Sequence, residues 1–292
     1  MGRVERAEAA VWDLPAAVAI DFGASNTDLV AVCGGQRVEW SEPQRGMPDA
    51  EGVRRMLAAA GVGLHGCALV AVTGGHHWAL PATIDGTPLV KVAELAAIAR
   101  GGQALAVGGP GRPDAPILVV SAGSGTAMVA AEGASFRHVT GTGVGGGTLL
   151  GLGRLLLGTT RPQEIDRLAA QGDAVAVDLG LQDVVTGPIG SLPPDATAVN
   201  FGRVARGGVA PRREDLAAGL VTMVGQVIAT LAVNAGRAAQ VQRIVVTGHL
   251  TDMATMRAVM TRVGEFFGFP VEVRDRAGYA TVTGALLWAL ER

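Results

Sequence analysis

From His138 to Leu157 the chain reads His-Val-Thr-Gly-Thr-Gly-Val-Gly-Gly-Gly-Thr-Leu-Leu-Gly-Leu-Gly-Arg-Leu-Leu-Leu, and no other stretch restricts the fold as much. Glycines at 141, 143, 145, 146 and 147 leave a backbone with almost no side-chain bulk, free to take positive φ and to come close to a ligand. Leu149, Leu150, Leu152, Leu155, Leu156 and Leu157 follow at near-helical spacing, so the glycine turn is predicted to run straight into a helix N-terminus. Exposed amides meet a helix dipole there. That combination suits a phosphate or a carboxylate, while a tight turn with close helix packing is the competing reading of the same glycines.

The rest of the chain reads as a glycine-rich α/β protein of two units. Ala16 to Ile20 is an apolar run ending in Asp21-Phe-Gly-Ala-Ser-Asn-Thr-Asp28, and Leu29 to Val32 resume it, which predicts strand, tight turn, strand. Asp21 then sits at a strand tip, placed to hold a cation through water, and Gly23, Ser25, Asn26 and Thr27 offer amides and hydroxyls to phosphate oxygens. The pattern returns after the Gly/Pro-rich linker 108–115. Ile117 to Val120 leads into Ser121-Ala-Gly-Ser-Gly-Thr126, and Ala127 to Ala131 continues as a strand. Two small-residue bends of one design can hold a polyphosphate from two sides.

Other segments carry weaker signals. Asp49 to Ala60 is predicted helical and closes at Gly61, and Cys67 to Val72 is a buried strand breaking at Thr73-Gly-Gly-His-His-Trp78. His76 and His77 are adjacent, point apart on most backbones, and read as ordinary loop histidines. Glu94 opens an apolar helix, as a general base or as a charge complementing the helix dipole; spacing leaves both open. Asp215 to Gln240 is a long alanine-rich amphipathic helix, core or dimer surface. Arg243 to Leu250 reads as strand then glycine turn, with Gly248 allowing a flat ring to approach.

Composition excludes several function classes. Twenty-four basic residues against 26 acidic give a net charge of −2, which draws the chain neither to nucleic acid nor to an acidic membrane surface. Cys33 and Cys67 are too few for a disulfide framework. The first fifteen residues lack a signal peptide's apolar core, and no uninterrupted apolar run reaches membrane-spanning length, so a cytoplasmic protein is expected.

Taken in order, Ile20 to Thr27, Val72-Thr-Gly-Gly, Val92-Ala-Glu94, Ala122 to Thr126, Gly141 to Leu152, Asn200-Phe-Gly and Val246-Thr-Gly-His resemble a type II pantothenate kinase of the acetate kinase, sugar kinase, Hsp70 and actin superfamily. The resemblance runs from Ala17 to the C-terminus. It implies two ribonuclease-H-like domains of the actin and hexokinase type with an ATP cleft between them: residues 16–112, completed by a C-terminal helix 278–292, and residues 113–277. It also implies a homodimer using ATP and Mg²⁺ on a small-molecule alcohol. In it Glu94 is the catalytic base, Asp21 the magnesium residue acting through water, Gly123, Ser124, Gly125 and Thr126 the second phosphate motif, Gly145, Gly146, Gly147 and Thr148 a phosphate cradle, and Gly248 the adenine contact. Arg137, His138, Thr140 and Gly141 fall where the family grips its acceptor. Two positions depart from the pattern: Asp28 stands where related sequences carry Lys, and His138 where they carry Arg.

Three functions follow. The first is phosphorylation of the primary hydroxyl of pantothenate, the entry step to coenzyme A. A second keeps the chemistry with another acceptor, such as pantetheine or another pantoyl or sugar-like alcohol, and a third is a nucleotide-binding regulator of the same fold.

Overall fold

Two meanders of three antiparallel strands each seed a sheet, and each sheet then grows by parallel strands on the same side. The computed structural model describes residues 3–7, 14–33, 36–187, 193–194 and 196–292. The first sheet contains β1 (Arg3–Ala7), β2 (Ala17–Phe22), β3 (Asn26–Cys33), β4 (Gln36–Pro43), β5 (Val70–Gly74), β6 (Thr83–Ile84) and β7 (Thr87–Lys91), in the order β1-β4-β3-β2-β5-β7-β6. Helix α1 (Ala50–Ala60) separates β4 from β5, and α2 (Glu94–Val107) follows β7. The second sheet contains β8 (Ile117–Ala122), β9 (Thr126–Glu132) and β10 (Ser135–Thr142), followed by α3 (Gly146–Leu157) and α4 (Pro162–Ala169). A small ribbon of β11 (Leu179–Gly180) and β12 (Thr197–Val199) comes next, then α5 (Gly202–Ala205) and α6 (Arg213–Ala238). The chain returns to the second sheet with β13 (Arg243–Thr247), α7 (Ala254–Phe266) and β14 (Val271–Val273), and ends in α8 (Ala280–Leu290).

The second sheet has the order β10-β9-β8-β13-β14, which matches β4-β3-β2-β5-β7 strand for strand. In both, the first strand of the meander pairs in parallel with the strand that comes after a helix. The parallel central strands are buried on both faces, which is why Ala17 to Ile20 and Ile117 to Val120 read as unbroken apolar runs. This is the α/β architecture of two ribonuclease-H-like sheets that the sequence predicts.

Element boundaries differ from the sequence reading in instructive ways. Strand β5 begins three residues later than the apolar run and takes in Thr73 and Gly74, because pairing with β2 extends to its polar tip. Strands β4 and β10 are absent from the sequence reading. In β4 the buried positions include Glu39 and Glu42, each paired with an arginine, so no apolar alternation shows, while β10 is largely exposed and polar and Gly141 interrupts its period. Helix α1 ends as predicted, with Gly61 left-handed at φ 68° and its amide on the carbonyls of Ala58 and Leu57.

Helices α2 and α8 run between the two sheets. Ala96 and Ala97 of α2 join Val282, Ala285 and Leu286 of α8 in a core that includes Ala17, Ala19 and Val30 of the first sheet. Ile98, Ala99 and Ala106 of α2 meet Ile117, Val119 and Val129 of the second. Two glycines set the helix spacing. A Cβ at Gly101 would lie 1.9 Å from the Ala280 carbonyl oxygen, and one at Gly284 would lie 1.9 Å from that of Ala97. Helix α6 is long and apolar enough to cross a membrane by length and composition, and 61% of its most apolar stretch is buried inside the protein.

Because backbone rather than a movable side chain fills the space at Gly284, Gly284→Ala should lower unfolding free energy by about 3 kcal/mol in urea denaturation. Gly151→Ala, exposed on α3 with open space around it, should leave stability unchanged or raise it by up to about 1 kcal/mol.

Candidate active site

The tips of the two meanders face each other. The β2–β3 turn and the β8–β9 turn meet where the Ser25 and Ser124 hydroxyls hydrogen-bond at 2.6 Å, 99 residues apart in sequence. Around this contact lies a cavity of about 450 Å³. Asp21, Gly23, Ser25 and Asn26 line it from the first half, and Gly123, Ser124, Gly125, Thr126 and Gly146 from the second. Glu94 lines it at the start of α2, and Gly248 and His249 line the end of β13. Leu150, Pro162, Leu250 and Met253 add an apolar wall. A mostly apolar cleft with a few convergent polar groups is the usual form of a small-molecule site.

The glycine stretch 141–148 buttresses this cavity more than it lines it. The Gly146 amide donates to the Gly123 carbonyl at 2.7 Å, and the Gly147 amide to that of Ser124 at 2.8 Å. The start of α3 therefore clamps the second turn from behind. The Gly145 amide donates to Thr148 Oγ1, whose hydroxyl donates to the Gly143 carbonyl. Of the four residues expected to cradle phosphate, Gly146 lines the cavity, while Gly145, Gly147 and Thr148 stand behind it because these bonds face the turn. Thr27 is turned away as well. Its hydroxyl is buried and donates to Gln44.

The acceptor-side residues are not brought to the cavity. Arg137 and His138 are exposed on β10, neighbours in a strand whose register shifts between His138 and Thr140, and they are absent from the cavity wall with Thr140 and Gly141. Gly248 has a positive φ of 97°, and a Cβ there would come 2.3 Å from the Ala122 carbonyl oxygen, so the turn after β13 presses on the β8–β9 turn. His77 is buried, with Nδ1 bonded to the Gly74 carbonyl oxygen, so it braces the loop after β5.

Charge is distributed unevenly. Three carboxylates, Asp21, Asp28 and Glu94, face the cavity, and among its lining residues His249 is the one group able to carry positive charge. Burial pushes the Asp21 carboxyl up to about 8, with Asp28 and Glu94 adding to the rise and His249 opposing it. Burial disfavours the charged His249 imidazole, but the hydrogen bonds it donates to Asp252 and Asp28 outweigh it and hold the ring at about 10. Sequence reasoning missed His249 as a site residue, because its partners lie 221 residues back and three residues on.

A carboxylate that its surroundings drive toward the neutral form is one that a hard cation would stabilise, so Asp21 fits the donor chemistry of Mg²⁺. Among the described residues no group of three or more His, Cys, Asp or Glu side chains is arranged to hold a metal. Mg²⁺ here would depend on one carboxylate, water and phosphate oxygens.

The model of the Fumble family matches residues 111–268, just over half of the chain. A type II pantothenate kinase from Oceanobacillus iheyensis is 29% identical over 219 residues, covering 74% of this chain and 80% of its own. Among solved structures, component A of Acidaminococcus fermentans (R)-2-hydroxyglutaryl-CoA dehydratase superposes with a TM-score of 0.61 at 17% identity, covering 95% of this chain and 98% of that one. A ROK family glucokinase from Streptomyces griseus, in complex with glucose and AMPPNP, gives a TM-score of 0.56 at 13% identity, over 93% and 98%. Both share the fold.

The Asp21 shift has a measurable sign. Because the folded-state pKa is raised from 3.8 to about 8, its contribution to stability is complete below pH 4 and is lost as pH rises through 8. Without metal, wild type should lose up to about 1.4 kcal/mol per pH unit in that window relative to Asp21→Asn. Parallel stability curves for the two proteins between pH 5 and pH 8 would refute the shift.

Proposed function

The chain belongs to the Fumble family, and from that premise we propose that it is an ATP-dependent kinase that phosphorylates the primary hydroxyl of pantothenate. The observation that carries the reading is the Ser25–Ser124 contact, which sets two turns of hydroxyls and amides against one another at the cavity that Asp21 and Glu94 also line. The nucleotide's phosphates lie in the cavity beside the Ser25–Ser124 contact, within reach of Gly23, Ser25 and Asn26 from one turn and of Gly123 to Thr126 from the other, with the adenine toward Gly248 and the apolar wall. The division into residues 16–112 with 278–292, and 113–277, belongs to the same reading, as do a homodimer and a cytoplasmic location.

Glu94 accepts the proton of the acceptor's primary hydroxyl as that oxygen forms its bond to the γ-phosphorus. The bond from γ-phosphorus to the bridging oxygen breaks, ADP leaves, and Glu94 later gives its proton to water. The positive end of α2 favours the Glu94 carboxylate, since Glu94 is the first residue of that helix. Asp21 would hold Mg²⁺, which when bound offsets charge on the phosphate oxygens. The two turns contribute position and hydrogen bonds, which is most of what phosphoryl transfer asks of a protein.

A second reading changes the acceptor to pantetheine or to another pantoyl or sugar-like alcohol. Arg137 and His138 favour it, being exposed on β10 and absent from the cavity wall. The regulator reading loses ground because Asp21 and Glu94 face one cavity, an arrangement that binding without transfer does not need.

Coupled ADP release with purified protein and a panel of alcohols tests these readings. Pantothenate should give the highest kcat/KM, and Glu94→Gln should cut kcat by about 10²-fold or more with little change in affinity for a non-hydrolysable ATP analogue. Full turnover by Glu94→Gln would remove it as the base, and acceptor-independent ATP binding alone would leave the regulator.

A further inference from the structure

We propose that His249 is a positioning residue, latched to Asp28 across the cleft so that the β2–β3 and β8–β9 turns stay together and both face one triphosphate; naming the nucleotide rests on the kinase reading above. Nε2 of His249 lies 3.0 Å from Asp28 Oδ1, and Nδ1 lies 2.7 Å from Asp252 Oδ2. Ionised carboxylates only accept hydrogen bonds, so both ring nitrogens carry protons and the ring is an imidazolium. Asp28 belongs to β3 of the first sheet, whereas His249 and Asp252 belong to the turn after β13 of the second. The bond therefore spans the cleft. It ties the halves at the cavity together with the serine contact, while the Arg276–Glu39 ion pair joins them further along the first sheet.

The ring is held in place from two further sides. A Cβ at Gly278 would come 2.5 Å from Nδ1, so the glycine makes room for the imidazole, and the Tyr279 ring meets it edge-on at 5.5 Å between centroids. Asp28 is 7% exposed and sits opposite Asp21 in the β2–β3 register. Without His249 a buried carboxylate would stand unpaired beside Asp21, with Glu94 also facing the cavity. The imidazolium is spent on two carboxylates, so its work is to neutralise Asp28 and to fix distance. A ligand that touches only the second half is indifferent to that distance. One that spans both turns depends on it.

The experiment measures affinities of adenosine and of a non-hydrolysable ATP analogue by calorimetry, with pantothenate turnover in parallel. Asp28→Ala and His249→Ala should each weaken the ATP analogue about tenfold, leave adenosine within about twofold, and raise KM for ATP. The double variant should be no worse than either single one, because the same bond is lost. Asp28→Asn keeps an acceptor for the Nε2 proton and should restore most of the affinity. Equal losses for adenosine and the ATP analogue would make the pair a structural ion pair only, and additive losses or unchanged ATP affinity would overturn the latch. Failure of wild type to phosphorylate pantothenate would sink the acceptor while the affinity cycle still decides the latch; failure to bind the ATP analogue would sink both.

Discussion

Everything at the cleft depends on two turns from different sheets being pressed together. A triphosphate carries several negative charges along a short chain of atoms, and a single glycine turn can serve only one side of it. Here the Ser25 and Ser124 hydroxyls touch, and the second turn is kept in place by the amides of Gly146 and Gly147 at the head of α3. The same register in both sheets brings this about, since β2 and β8 occupy equivalent central positions and end in equivalent bends. Helices α2 and α8, packed backbone to backbone through Gly101 and Gly284, fix how the sheets meet.

Electrostatics at the cavity are acidic. Three carboxylates face it, against one imidazole. Asp28 sets a second carboxylate beside Asp21, and the structure answers it with His249. The residual strain falls on Asp21, whose carboxyl is pushed up by burial and by its acidic neighbours. Such a group gains from a cation, so the carboxylate at residue 28 shifts how charge is balanced and leaves the cleft coherent.

Much of the fold was legible because the central strands are buried on both faces and show as apolar runs, and because glycines of positive φ such as Gly61 and Gly248 mark where elements stop. The pairing of two small-residue bends was legible for the same reason: both repeat the sequence of strand, glycine and hydroxyl residues, strand. Strand β10 was hidden, since Gly141 and exposed polar residues erase its alternation. The glycine run from 141 to 147 reads as a ligand cradle, yet its Gly146 and Gly147 amides go to carbonyls of a neighbouring turn; spacing cannot say whether an amide faces a ligand or a carbonyl. His249 could not be found from sequence, because its meaning lies in Asp28, more than two hundred residues away in the other half.

The most direct measurement is a crystal structure with a non-hydrolysable ATP analogue and Mg²⁺. The β- and γ-phosphates should lie beside the Ser25–Ser124 contact with both turns facing them, the metal on the Asp21 side, and the Glu94 carboxylate beside open space next to the γ-phosphate. A nucleotide seated elsewhere, or phosphates held by one turn with the other facing solvent, would contradict it.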